Sequence, residues 1–132
     1  MDTLAIIEKD GDGYSVYTED LKTVLHGSGS TVAQAKEEML AGYRDLLELY
    51  REQRRKIPEE LRDLTFTYKY DISALFNAFD FLNVTRFAER IGISPSLMRH
   101  YKRGDTYISV SQAKKIESGL HQLARDLLTV SL

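Results

Sequence analysis

The sequence contains no cysteine, which excludes a disulfide framework and thiolate metal sites and is compatible with a reducing compartment. It has two prolines: Pro58 closes an expected helix, and Pro95 falls in the first turn of another. No apolar run reaches transmembrane length. The start, Met-Asp-Thr-Leu-Ala-Ile-Ile-Glu-Lys-Asp, has no basic segment and too short an apolar stretch for a signal peptide, so a cytoplasmic location is expected. The three histidines, His26, His100 and His121, fall on different predicted elements without an i, i+4 partner, and their spacing makes no metal site. No Ser/His/Asp arrangement and no phosphate-cradling glycine loop is visible. Neither an enzyme nor a cofactor is expected.

What is present is a chain of 132 residues, 42% hydrophobic and 29% charged, a globular composition that fits two small domains. Its net charge of −2 hides an asymmetry. Residues 1–70 carry 10 Lys/Arg against 14 Asp/Glu, a net of −4, and residues 71–132 carry 8 against 6, a net of +2. A basic C-terminal half suits a polyanion, and an acidic N-terminal half suits a basic protein.

The most informative stretch runs from Leu82 to Gly104. Asn83 is a good N-cap, and Val84, Phe87, Ala88 and Ile91 share one helical face. Gly92 permits the positive φ that ends this helix. After a three-residue break, Ser94 caps a second helix with Pro95 in its first turn, and Met98 and Tyr101 continue the buried face. Ser96, Leu97, Arg99, His100, Lys102 and Arg103 are left pointing outward, with no acid between Gly92 and Gly104. This is the layout of a helix-turn-helix whose second helix enters a DNA major groove. The alternative is an ordinary helical hairpin, which has no need of several outward cations. Ala88, Gly92, Ile93 and Arg103-Gly104 resemble the small residue, turn glycine, apolar residue and Arg/Lys-Gly end of the Cro/repressor-like helix-turn-helix family. On that layout Ser96, Arg99 and His100 are placed at base edges, and Ser94, Lys102, Arg103 and the helix N-terminus at Asn83 on phosphates of double-stranded operator DNA.

The N-terminal half reads β-β-β-α-β. Thr3 to Glu8 and Tyr14 to Thr18 flank the turn Asp10-Gly11-Asp12-Gly13, a hairpin signal. Leu21 to His26 is the third expected strand, ended by Gly27-Ser28-Gly29-Ser30. Thr31 and Gln34 form a capping box for a helix bearing Val32, Ala35, Met39, Tyr43, Leu46, Leu47 and Tyr50 on one face. Leu64 to Tyr70 alternates as a returning strand. The expected fold class is α+β, a small β-β-β-α-β domain (1–70) followed by an all-α helix-turn-helix domain (71–132).

The hairpin Ile-Glu-Lys-Asp-Gly-Asp-Gly-Tyr-Ser-Val, the Gly/Ser/Thr entry into an acidic helix, and the helix-turn-helix behind them together resemble the HicB antitoxin family. Where members often carry Pro-Asp-Leu-Pro-Gly-Cys after the second strand, this chain keeps only Asp20-Leu21. The resemblance implies a partial ribonuclease H-like domain that masks a small basic HicA-like, mRNA-cleaving toxin, and a C-terminal domain that represses the operon. The alternative is a stand-alone helix-turn-helix regulator whose first domain senses a ligand or assembles subunits.

A ribonuclease H-like shape invites a catalytic role for Glu8, Asp10 and Asp12. They share one turn, however, whereas two-metal chemistry needs carboxylates converging from separate elements. In the C-terminal half, Asp71 is expected to cap a helix from Ile72 to Phe81 with Ile72, Leu75, Phe76 and Phe79 buried. Ser109 and Gln112 form a second capping box, Gly119 is expected to break the helix that follows, and Tyr107 is placed to touch a phosphate. The apolar end, Leu123 to Leu132, either completes the core or forms a dimer contact. A homodimer or higher even oligomer with no membrane contact is expected.

Overall fold

The computed structural model describes all 132 residues, which divide into two compact units, Met1–Lys69 and Tyr70–Leu132. The fold is mixed α/β, with one four-stranded sheet and five α-helices. No helix is long and apolar enough to cross a membrane.

In the first unit, β1 (Asp2–Asp10) and β2 (Gly13–Thr18) are antiparallel across a two-residue turn, in register from Asp10 opposite Gly13 to Ala5 opposite Thr18. β3 (His26–Gly29) lies antiparallel to β2 on its other side. β4 (Thr65–Asp71) completes the order β3-β2-β1-β4. β1 and β4 start side by side: the Thr65 N–H donates to the Met1 carbonyl (3.1 Å), and the Asp2 carboxylate accepts from the hydroxyls of Thr65 (2.7 Å) and Thr67 (2.5 Å). The two strands therefore run parallel and the sheet is mixed. A single helix, α1 (Val32–Glu52), joins one sheet edge to the other.

The third strand corrects the sequence expectation. It is formed by the glycine-rich His26–Gly29, not by Leu21 to His26. Leu21 and Leu25 are buried in the preceding loop instead, where the Leu25 N–H donates to Thr18 Oγ1 (3.0 Å). The cause is the approach of α1. Ile7, Val16 and Gly27 stand in one row across the sheet, and a Cβ built on Gly27 would lie 2.2 Å from the Ala35 carbonyl oxygen and 2.4 Å from the Met39 nitrogen. Larger side chains in this strand would hold the helix off the sheet.

The ends of α1 follow local chemistry. Thr31 Oγ1 accepts from the Gln34 N–H (3.1 Å), while Gln34 Oε1 reaches past the cap to accept from the Ser30 N–H (3.0 Å). Ala35 and Met39 are fully buried on the inner face. Farther along, the Tyr43 hydroxyl donates to the Leu61 carbonyl (2.5 Å) and accepts from the Leu64 N–H (3.2 Å), which ties the return loop to the helix.

The second unit contains α2 (Ser73–Ala78), α3 (Val84–Ile91), α4 (Pro95–Arg103) and α5 (Val110–Leu128). They enclose a core that includes Ile72, Phe76, Phe87, Ala88, Met98, Tyr101 and Ile116. Two expectations need correction. The first helix is only six residues long. Its N-cap is Ile72 and not Asp71, whose Oδ1 accepts from the Ser73 N–H (3.1 Å) one residue ahead of the cap, and the chain turns off at Phe79, which is 41% exposed and meets Phe81 edge to face rather than entering the core. Gly119 does not break α5, which is continuous. It is buried where α5 crosses α3, and a Cβ there would stand 2.4 Å from Ile91 Cγ2 and 3.2 Å from Phe87 Cζ. Between α4 and α5, Ile108 exchanges backbone hydrogen bonds with Tyr70 (2.8 and 2.9 Å).

The close approach at Gly27 predicts that Gly27→Ala destabilises the first unit by on the order of 2–3 kcal/mol, because the added methyl meets helix backbone that cannot rotate away. Urea unfolding of the variant against the parent chain measures it; an unchanged midpoint would contradict this packing.

Candidate nucleic-acid interface

The geometry of the second unit begins with three caps. Asn83 Oδ1 accepts from the Arg86 N–H (3.1 Å) at the start of α3. Gly92, at φ +75°, ends α3 with its N–H turned back to the carbonyls of Ala88 and Glu89. Ser94 Oγ, 3.5 Å from the Leu97 N–H, then starts α4, with Pro95 in its first turn where no donor is needed. Met98 and Tyr101 anchor α4 in the core. Helical spacing therefore sends Ser96, Arg99, His100 and Arg103 outward, all of them exposed, and leaves Lys102 half-exposed. Gly104, at φ +77°, closes α4.

Of the seven residues singled out from the sequence, four line one surface groove of about 380 Å³. Asn83, Arg99, Lys102 and Arg103 surround the N-terminus of α3 together with Thr85. The Arg99 guanidinium donates to Thr85 Oγ1 (3.3 Å), which fixes it across the two helices without neutralising it. Three cations, an asparagine and the positive end of a helix face the same space, an arrangement suited to a phosphate. Ser94 and Ser96 lie exposed at the other end of α4, and His100 is exposed near its C-terminus.

Sequence reasoning missed Asp105. Its Oδ2 accepts from Arg103 Nε (3.0 Å) and lies 3.0 Å from His100 Nδ1, while an Arg103 terminal nitrogen is 3.1 Å from the same Nδ1. The Arg103 hydrogen bond, and then that of His100, hold the Asp105 carboxyl below its usual value. The available signal was an acid one residue beyond the closing glycine, just past the acid-free window.

Compared with known proteins, the chain matches no family model, no curated protein and no solved structure at a significant level.

Elsewhere, Asp10 and Asp12 flank the hairpin tip, and Asp10 Oδ2 is taken up by the Ser15 hydroxyl (2.9 Å). No group of three or more His, Cys, Asp or Glu is arranged to hold a metal ion. Tyr107 is half-buried beside Ile108.

Loss of the Asn83 cap leaves the Arg86 N–H without its side-chain acceptor. Asn83→Ala is expected to lower the stability of the second unit by about 1 kcal/mol, read as a lower melting temperature.

Proposed function

We propose that this chain is a HicB-type antitoxin of a type II toxin–antitoxin system. Residues 1–70 neutralise a small basic HicA-like, mRNA-cleaving toxin, and residues 71–132 bind operator DNA and repress the operon. One observation carries the reading: α3 and α4 meet at the left-handed Gly92, with Arg99, Lys102 and Arg103 gathered around the N-terminus of α3. A helix pair built for packing alone gains nothing from three cations on one groove.

The first unit supports the other half of the reading. The reading of it as a partial ribonuclease H-like β-β-β-α-β domain ahead of an all-α helix-turn-helix domain is supported by its three antiparallel strands, its covering helix and the return strand parallel to β1. Its net charge of −4 suits a basic toxin. Leu127 and Leu128 at the end of α5, and Val130 and Leu132 just beyond it, are all more than half exposed, and covering them with a second copy gives a homodimer. Two recognition helices would then fall about one DNA turn, ~34 Å, apart on a palindromic operator.

Purification of the tagged chain from its own host is expected to bring down a stoichiometric small basic protein that stops growth when expressed alone. Recovery of the chain alone, still bound to its promoter, would favour a stand-alone regulator instead. In gel-shift titrations, Arg99→Ala is expected to cost ~1–3 kcal/mol on the operator and to relax specificity at one position. Lys102→Ala is expected to weaken all sequences alike and to reduce the salt slope by about one.

A further inference from the structure

The His100 ring faces two partners that make opposite demands on one nitrogen. Arg103 can donate to Nδ1 (3.1 Å) only when that atom carries a lone pair, whereas Asp105 Oδ2 (3.0 Å) can be served by it only when it carries a proton. Arg103 also donates from Nε to the same Asp105 oxygen (3.0 Å), so its guanidinium bridges acid and ring. Resting on the DNA-binding reading above, we propose that Asp105 is a positioning residue for DNA recognition: it clamps Arg103 against the neutral His100 ring, and protonation of that ring releases Arg103 toward a phosphate.

The step is a proton exchange with solvent. A proton taken up at Nδ1 removes the acceptor that Arg103 used, places a like charge ~3 Å from the guanidinium, and gives Asp105 a new N–H donor. The Asp105 carboxyl stays ionised throughout, because both of its partners favour the charged form. Among the neighbouring charges, Asp71 ahead of α2 accepts from the Ser73 hydroxyl (2.7 Å), which packs beside Gly104. α2 and α3 are the helices packed on α4, and α2 carries no charged side chain. On α3, Arg86 pairs with Glu89 and Arg90 with Asp126. On α4 itself, Arg99 is held by Thr85, and Lys102 makes no ion pair.

The test is a fluorescence-anisotropy titration of the full chain on its own promoter fragment, at pH 8 and pH 6 with fixed ionic strength, repeated over a range of salt. The parent chain is expected to bind about five- to ten-fold more tightly at pH 6 for each further phosphate that a released Arg103 engages, with a steeper salt slope. Asp105→Asn should raise affinity and salt slope already at pH 8, because Arg103 is no longer clamped. Its fold does not depend on the carboxylate, since the cap beside it is made by the Asp105 backbone N–H on the His100 carbonyl (3.1 Å). His100→Gln should flatten the pH dependence, which separates His100 from His26 and His121. Promoter binding by the parent with Asp105→Asn unchanged at pH 8 would overturn the proposal alone. A parent chain that bound no promoter DNA at either pH would overturn the DNA-binding reading and the proposal with it.

Discussion

The left-handed turn at Gly92 sets everything that follows it. At φ +75° its N–H points back to the carbonyls of Ala88 and Glu89, the Ile93 N–H closes on Ala88 (3.0 Å), and two residues later Ser94 caps the next helix. A side chain would find open space at Gly92, with only Lys115 nearby at 3.8 Å, so the constraint is the dihedral angle and not room. The phase of α4 depends on it. A slip of one residue turns a helix by ~100°, which would lift Met98 and Tyr101 out of the core and drive Arg99 or Lys102 toward it. Burying an unpaired cation costs far more than any alternative hydrogen bond returns, so the turn and the outward cationic face stand or fall together.

Glycines in this chain serve two distinct purposes, and only one of them can be read from a sequence. Gly92 and Gly104 supply positive φ directly after runs with helical spacing, a position where the pattern itself calls for them. Gly27 and Gly119 have ordinary backbones and supply space: one lets α1 lie on β3, the other lets α5 cross α3. Read locally, a glycine in Gly-Ser-Gly-Ser ends a strand and a glycine inside a helical pattern breaks it. Both readings fail here for the same reason. The partner that needs the space is distant in sequence, Ala35 and Met39 in one case and Phe87 and Ile91 in the other. Caps behave differently. Thr31, Asn83, Ser94 and Ser109 each accept from a backbone N–H three residues on, and so each was visible from its own neighbourhood.

The candidate site divides along the same line. Which side chains of α4 face outward follows from the spacing of Met98 and Tyr101, and a sequence is enough to obtain it. Which of those cations remain available is a matter of pairing, and pairing is not local. Arg86 and Arg90 are taken up by Glu89 and Asp126, and Arg103 is shared with Asp105. Exposed pairs of this kind add little to stability. Their effect is to place the uncommitted positive charge: Arg99 bonds only a neutral hydroxyl and Lys102 forms no ion pair, and both line the groove at the start of α3.

A groove of that size bears on how many copies the proposed DNA complex needs. In the proposed complex one unit would bring two uncommitted cations, a third shared with Asp105, and one helix N-terminus to the duplex, a few phosphate contacts at most, and specific binding at physiological salt generally draws on more than that. The apolar stripe of α5 runs past the domain that uses it. Ile116 is buried and Leu120 packs on the core, but Leu127 and Leu128 at the helix end are 62% and 84% exposed, and Val130 and Leu132 follow beyond the helix without cover. A helix that needed only to close its own core could stop after Leu120. Extending the stripe by about two further turns leaves apolar surface exposed in a monomer; in the proposed dimer that surface would be covered, and the same interface would double the number of phosphates reached and fix the separation of the two helices proposed to enter the groove.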